Sequence, residues 1–370
     1  MNKNRLVNTF MNLVRIDSES KNEGKFHEYL KNRCKEIGLQ TYEDNTKKET
    51  GLGAGNLLCT LEANSDLPPL MFCCHTDTVQ PGIGIKPFID NEIIYSEGNT
   101  ILAADDKAGI AAILEMITVL QETNINHGKI ELLFTPGEEI GLLGISAFDM
   151  TKLESKYGYV LDSAGPVGGI LMASPNLYFI EATFHGKAAH AGVEPELGAS
   201  AIQMAAKSIS KMKLGRVDQL TTSNIGTIKG GIATNVVPET AHLTAEIRSI
   251  SEDQCYALLS EMKQIMYSAA REFNGSVEIN TKKLSTGYQL KDSSYVVNLA
   301  GDAFNQLNIP IDQQISGGAS DANVLNANGI ETVNLAIGYE KIHTTEEFIP
   351  IAELEKITNV AIYLATNHYA

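Results

Sequence analysis

The chain has 370 residues, of which 43% are hydrophobic and 20% are charged, and its formal net charge is −16. This composition is typical of a soluble globular protein with more than one domain. The negative charge argues against nucleic acid as a partner, because binding to phosphates depends on Lys and Arg.

Strand and helix patterns alternate over residues 1–175 and again over residues 285–370. The predicted strands cover residues 56–62, 70–74, 129–135, 157–162 and 331–338. The predicted helices cover residues 105–122, 293–307 and 351–369. This alternation is typical of βαβ units and predicts an α/β domain with an open, mostly parallel sheet and helices on both faces.

Residues 176–284 follow a different pattern, in the order β-α-β-β-α-β. The strands are predicted at residues 177–186, 222–231, 239–249 and 276–283, and the helices at 198–213 and 252–273. This order is that of the split βαβ sandwich. We therefore predict that a small domain is inserted into the larger α/β domain.

Neither a membrane span nor a disulfide framework is expected. The most apolar helical run, residues 109–120, is short and contains Glu115, and the N-terminus is too polar for a signal peptide. The five cysteines have no C-x-x-C spacing, which suits the reducing cytoplasm. We predict a cytoplasmic protein in which the adjacent Cys73 and Cys74 are small buried hydrophobic residues.

Acidic and imidazole side chains recur at the strand ends of the larger domain. They are His75 and Asp77 after strand 70–74, Glu138 and Glu139 after strand 129–135, Asp162 at the end of strand 157–162, His343 after strand 331–338, and Asp105 at a helix start. Ligands of open α/β sheets bind beyond the carboxyl ends of the strands. Because nitrogen and oxygen ligands without a thiolate suit zinc, cobalt or manganese, these placements predict a metal site.

The number of carboxylates favours two metal ions over one. Three carboxylates carry too much charge for a single divalent ion that must also act as a Lewis acid, whereas two ions sharing a bridging carboxylate fit. The spacing of His75 and Asp77 puts both side chains on one side of an extended chain, so Asp77 can accept the second ring N–H of His75. The pair Glu138-Glu139 offers one carboxylate to a metal and leaves the other as a general base.

Five ordered motifs resemble the metal-site motifs of the dinuclear zinc exopeptidases and deacylases, and the peptidase T-like branch is the most similar. The motifs are HTDTV, ADDKAG, GEEIG, LDSAG and IHTTEE. The resemblance implies two divalent ions, which are zinc or alternatively cobalt or manganese. The ligands it implies are Asp105 as the bridge, His75 and Asp162 on one ion, and Glu139 and His343 on the other.

The same resemblance assigns roles to the neighbours of these ligands. It implies that Glu138 is the general base and that Asp77 orients His75. It also implies a cis peptide bond between Asp105 and Asp106, with only Asp105 bound to the metals.

The inserted domain carries further matches to the family. They are His190 in AAHAG, Asn235 in TNVVPE, Arg248 in AEIRS and, beyond the insertion, Gly318 in SGGASDANVL. They imply that His190 reaches the scissile carbonyl, that Arg248 grips a substrate carboxylate, and that Gly318 lines the substrate pocket. Residues 1–175 with 285–370 are then implied to be the catalytic metallopeptidase domain, and residues 176–284 a lid through which two copies of the chain form a homodimer.

The function predicted in this way is a metal-dependent aminopeptidase that hydrolyses short peptides, with tripeptides as the expected length. The alternative is an amidohydrolase or carboxypeptidase acting on N-acyl amino acids, which uses the same chemistry with a different leaving group. A catalytically dead metal-binding relative is a third class, and Glu138 argues against it. His190 lies in a His-Ala-Gly context where peptidase T has His-Pro-Gly, which counts against strict tripeptide specificity.

Overall fold

The computed structural model describes residues 1–368 and has an α/β fold. The strands are β1 (Gln40–Glu43), β2 (Leu57–Leu61), β3 (Leu70–His75), β4 (Pro87–Asp90), β5 (Ile93–Ser96), β6 (Ile130–Thr135), β7 (Tyr157–Ser163), β8 (Gly169–Ser174), β9 (Asn176–His185), β10 (Gly215–Arg216), β11 (Thr221–Gly230), β12 (Thr240–Ser249), β13 (Ser276–Ser285), β14 (Tyr288–Gln289), β15 (Asp312–Ile315), β16 (Glu331–Ala336) and β17 (Phe348–Pro350). The helices are α1 (Lys3–Val14), α2 (Gly24–Glu36), α3 (Thr46–Thr50), α4 (Ala104–Thr123), α5 (Leu143–Ser146), α6 (Ala201–Lys211), α7 (Glu252–Glu272), α8 (Tyr295–Gln306), α9 (Asp321–Ala327) and α10 (Ile351–Thr366). The last helix is predicted from the sequence to end at residue 369 but ends at Thr366, and residue 369 itself lies outside the described residues.

The chain divides into two compact units. The first consists of residues 1–173, 290–316 and 320–370, and the second of residues 174–289 and 317–319. The second unit carries the β-α-β-β-α-β order predicted for the insertion, with the short strands β10 before β11 and β14 after β13 in addition.

The large sheet of the first unit has the strand order β1-β2-β6-β3-β7-β16-β8, and β15 also pairs with β8. Its central strands β6, β3, β7 and β16 are parallel. All residues of β3 and β6 are buried, as expected for strands covered on both faces. Helix α4 is buried along almost its whole length. The carboxyl ends of β3, β6 and β7 therefore meet at one edge of the sheet.

The second unit has an antiparallel sheet in the order β10-β11-β12-β9-β13. Burial alternates along β9 and β12, so one face of the sheet is apolar. The inward residues of β9 are Tyr178, Ile180, Ala182 and Phe184. They pack with residues of α6 and α7 into a separate hydrophobic core.

Residues 1–368 bear on two expectations, that of membrane spans and that of the cysteines. No helix in that range combines the length and apolarity that crossing a membrane requires. All five cysteines are buried and unpaired, so the predicted burial of Cys73 and Cys74 is confirmed. The cytoplasmic location stays a prediction.

Candidate metal centre

His75 is the last residue of β3 and lies buried at the carboxyl edge of the large sheet. Its Nε2 atom is 2.8 Å from Oδ1 of Asp105 and 3.5 Å from Oδ1 of Asp162. Asp162 lies near the end of β7, which is parallel to β3. The parallel strands thus bring the imidazole and two carboxylates to one point, as their positions at strand ends predict.

Asp105 lies at the start of α4, where the backbone is not yet helical. The peptide bond between Asp105 and Asp106 is cis, which confirms the bond type that the family resemblance implies. The two carboxylate oxygens of Asp105 point to different partners. Oδ1 faces His75, whereas Oδ2 is 3.2 Å from Nε2 of His343. This is the arrangement needed for a carboxylate that bridges two ions.

Three overlapping groups of side chains have ligand atoms within 4.8 Å of one another. The groups are His75-Asp105-Asp162, Asp105-Glu139-His343 and His75-Glu138-Glu139. No Lys or Arg of residues 1–368 forms an ion pair with any of these carboxylates. Imidazole and carboxylate donors without a thiolate or a competing cation fit divalent metal ions such as zinc.

Glu138 and Glu139 lie on the loop after β6, and Asp77 holds this loop through hydrogen bonds to its main chain. The Asp77 carboxylate accepts the main-chain N–H of Glu138 at 2.9 Å and that of Glu139 at 3.2 Å. It also accepts the hydroxyl of Ser20 at 2.7 Å. Oε1 of Glu139 lies 3.0 Å from Nε2 of His343, whereas the side chain of Glu138 makes no hydrogen bond within residues 1–368.

The contact between Asp77 and His75 differs from the predicted one. Nδ1 of His75 lies 2.9 Å from the main-chain carbonyl of Asp77 and 3.6 Å from its carboxylate. The chain turns after β3, so the carbonyl meets the ring first and leaves the carboxylate for the loop after β6. A carbonyl acceptor fixes the ring as a carboxylate would, with Nε2 directed at the metal site.

The pKa values at this site show an excess of negative charge. Burial raises the pKa of the Glu138 carboxyl well above its usual range, and repulsion by Asp162 adds to this, although His75 opposes it. Burial likewise raises the pKa of Asp162 to about 7. Hydrogen bonds to Asp105 and Glu139 raise the pKa of His343 to about 10. A bound divalent cation would neutralise the excess negative charge of this cluster.

Two buried carboxylates near the site were not predicted from the sequence. Asp321, the first residue of α9, accepts the hydroxyl of Thr135 and the thiol of Cys73, and burial raises its pKa to about 6. Glu347, in the segment after His343, accepts main-chain N–H groups of the segment that leads into α4. Glu347 belongs to the quoted motif IHTTEE, but an acidic residue there gives no sign of burial.

The four residues predicted to contact substrate all lie in the second unit. The segments of His190 and Asn235 are adjacent, because the Ala191 N–H donates to the Asn235 carbonyl at 2.9 Å. The guanidinium group of Arg248 is fixed by both oxygens of Glu246, at 3.0 and 3.1 Å, and by the carbonyl of Gly317 at 3.0 Å. The neighbouring carbonyl, that of Gly318, accepts the hydroxyl of Ser174 at 2.8 Å.

Comparison with known proteins agrees with this geometry. The M20 peptidase dimerisation domain matches residues 173–274, and the M42 glutamyl aminopeptidase family matches residues 82–166. The chain is 30% identical to peptidase T of Lysinibacillus sphaericus, with 90% of this chain and 88% of that protein covered. It is 45% identical to the aminopeptidase PepT of Bacillus cereus, with a TM-score of 0.95 and 100% of both chains covered. A tripeptidase of Staphylococcus aureus is 40% identical, with a TM-score of 0.97 and coverage of 100% and 99%.

The fold, the metal-ligand groups and these matches define a peptidase hydrolase with the architecture of the M20 peptidases. Within that class, the chain belongs to the peptidase T-like family.

Proposed function

We propose that the protein is a metal-dependent aminopeptidase that hydrolyses short peptides, with tripeptides as preferred substrates. The observation that carries the proposal is the orientation of Asp105, whose two oxygens face His75 and His343 separately. A shared carboxylate between two half-sites is the arrangement of two-metal hydrolases. The similarity to an aminopeptidase PepT and to a tripeptidase supports the substrate class.

The contacts support one set of residues as the ligands of two divalent ions. Asp105 would bridge them, His75 and Asp162 would complete one site, and Glu139 and His343 the other. When bound, such ions polarise the scissile carbonyl and acidify the attacking water. Zinc is the proposed metal, and cobalt and manganese suit the same donors.

Glu138 supplies the proton transfers. Its carboxylate lies beside the proposed ligands and forms no hydrogen bond or ion pair with another side chain of residues 1–368. As water adds to the carbonyl carbon, Glu138 takes the proton of the water. When the C–N bond breaks, it gives that proton to the departing amine, which leaves poorly without protonation. Burial raises the pKa of the Glu138 carboxyl, which makes the protonated form that the second step needs more accessible.

The second unit is proposed to bind the substrate and a second copy of the chain. The anchored guanidinium group of Arg248 suits a bidentate contact to the peptide α-carboxylate, and His190, Asn235 and Gly318 are proposed to contact the peptide backbone.

Dimerisation is proposed to use the outer edge of β11. Strand β10 pairs only with Thr222 and Ser223, so the rest of this edge is without a partner strand in residues 1–368. Ile228 on β11 and Ile232 just after it are exposed, at 49% and 89%. An unpaired apolar edge favours addition of another strand. Light scattering should give a dimer mass for the wild type and a monomer mass for Ile232→Asp, and a wild-type monomer would contradict the proposal.

The experiment that tests the proposed activity is a panel of di-, tri- and tetrapeptides and N-acyl amino acids, assayed with and without added zinc or cobalt. We expect metal-dependent release of the N-terminal residue, fastest from tripeptides. Hydrolysis of N-acyl amino acids in preference to free peptides would instead establish the amidohydrolase alternative.

A further inference from the structure

Glu347 is a buried carboxylate that contacts the protein almost entirely through main-chain N–H groups. It lies four residues after His343, and 2% of its surface is exposed. Oε2 accepts the N–H groups of Leu102 at 2.8 Å and Ala103 at 2.9 Å, and Oε1 accepts that of Asp105 at 3.0 Å. No basic side chain of residues 1–368 forms an ion pair with it.

These three contacts determine the path of the chain into the bridging ligand. Ala103 has a left-handed backbone conformation, with φ 62° and ψ 33°, which is unfavourable for a residue with a side chain. Such a conformation persists when the surroundings hold it in place. Here the carboxylate of Glu347 accepts hydrogen bonds from main-chain N–H groups on both sides of the bend, at Leu102–Ala103 and at Asp105. Charge-assisted hydrogen bonds of this kind are stronger than neutral ones.

The segment that carries Glu347 also carries His343, and hydrogen bonds within the segment fold it into a turn. The hydroxyl of Thr344 donates to the Lys341 carbonyl at 2.7 Å, and the Glu347 N–H donates to the Thr344 carbonyl at 3.2 Å. His343 and Glu347 therefore lie on one compact turn. From that turn the imidazole reaches the Asp105 carboxylate, 3.2 Å away, while Glu347 holds the Asp105 backbone.

We propose that Glu347 is a positioning residue that sets the separation between Asp105 and His343, and hence the geometry of the site formed by Asp105, Glu139 and His343. It touches no reacting atom. The inference rests on the proposed function, because it takes these three residues as ligands of one metal ion.

The test is a metal titration of the full chain. Metal-free wild type, Glu347→Gln and Glu346→Gln are titrated with Zn²⁺ against a chromophoric chelator, which gives the number of ions bound and their affinities. Glu347→Gln is nearly isosteric but turns one acceptor into an NH₂ donor facing main-chain N–H groups. Glu346 is the matched control, because it is the exposed neighbour and pairs only with Lys341 on the surface. The melting temperature of each metal-free variant is recorded as well.

We expect Glu347→Gln to bind one of its ions about 10–100-fold more weakly, as is typical when a partner of a metal ligand is removed. Glu346→Gln should match the wild type. A Glu347→Gln protein that melts earlier but binds both ions with wild-type affinity would overturn the inference, since Glu347 would then only stabilise the fold. If Glu347→Gln does not fold, Glu347→Asp replaces it under the same criteria.

A failure of the proposed function gives a different result. A wild type that binds a single ion at saturation contradicts the two-ion proposal. The comparison of Glu347→Gln with Glu346→Gln then decides the role of Glu347 from the affinity of that ion.

Discussion

The carboxylate of Asp77 accepts the main-chain N–H of Glu138 at 2.9 Å. A residue just after β3 therefore holds the loop that follows the neighbouring strand β6. The same carboxylate accepts the N–H of Glu139 and the hydroxyl of Ser20. Burial would raise its pKa, but contacts with His75, Ser20 and Glu138 hold the pKa below its usual range. Asp77 therefore stays ionised and holds together Glu138, the proposed general base, and Glu139, a proposed metal ligand.

Asp77→Asn should lower turnover by about 10–100-fold, the usual loss when a group that orients a metal ligand is removed. The amide can accept only one of the two N–H groups and opposes the other with its own NH₂ group, so the loop should shift. Ser20→Ala is the control, because it removes one donor and leaves both N–H contacts intact. It should cost less activity than Asp77→Asn, and the reverse order of losses would mean that the loop contacts are unimportant.

Metal analysis should find two divalent ions per chain at saturation. His343→Ala should lose one ion, since His343 belongs to one ligand group, whereas Asp105→Asn should weaken both, since Asp105 belongs to two. Elemental analysis after dialysis against a weak chelator measures the ratio. Equal losses in the two variants would be inconsistent with a bridging role for Asp105.

Arg248→Ala should raise KM sharply for peptides with a free α-carboxylate and change it little for the same peptides amidated. A bidentate guanidinium–carboxylate pair has no partner once the carboxylate is capped. Glu246→Gln tests whether Glu246 holds the guanidinium group of Arg248 in place, because Glu246 contacts Arg248 through both oxygens. This variant should raise KM in the same way but by less. Equal KM changes on both peptide series would make Arg248 a structural residue.

His27 should make the metal-free protein sensitive to mild acid. Burial lowers the pKa of His27 to about 4. Its Nε2 atom lies 2.6 Å from the Thr76 hydroxyl, and Nδ1 has no partner in residues 1–368. Between pH 6.5 and 4 the unfolded chain takes up a proton that the folded chain does not. The free energy of unfolding should therefore fall with decreasing pH, by at most about 1.4 kcal/mol per pH unit from this group.

His27→Gln supplies the comparison. Urea unfolding at pH 6.5 and pH 5.0 should show a loss of stability for the wild type that exceeds the loss for His27→Gln by roughly 1–2 kcal/mol. Parallel losses in the two proteins would show that His27 is not the titrating group.

The sequence predicts the elements whose pattern is strong. Strand β3 is an apolar run up to His75, β6 is apolar apart from Glu131 and Thr135, and α4 is a long helix rich in apolar residues, so their positions are found to within one or two residues. The short strands β4, β5 and β17 form a separate small sheet that was not predicted. Strand β4 is largely exposed, and an exposed strand of four residues has no distinctive periodicity.

Contacts between distant parts of the chain are the part of the site that the sequence does not predict. Strand ends with His and Asp identify side chains that gather at one edge, but they do not show which atom meets which. Glu347 and Asp105 are separated by 242 positions, and no local pattern connects them. The carbonyl of Asp77 meets the ring of His75 because the chain turns after β3, which the regular spacing of an extended strand does not reveal.

The most direct test of the proposed mechanism compares Glu138→Gln with Glu139→Gln, with metal content and peptide turnover measured on the same samples. We predict that Glu138→Gln keeps its fold and both ions while turnover falls by at least ~10²–10⁴-fold, the usual cost of a lost general base. Glu139→Gln should lose metal affinity together with activity, because Glu139 lies 3.0 Å from His343 in a ligand group. Wild-type turnover in Glu138→Gln, or metal loss equal to that of Glu139→Gln, would contradict the assignment of Glu138 as the base.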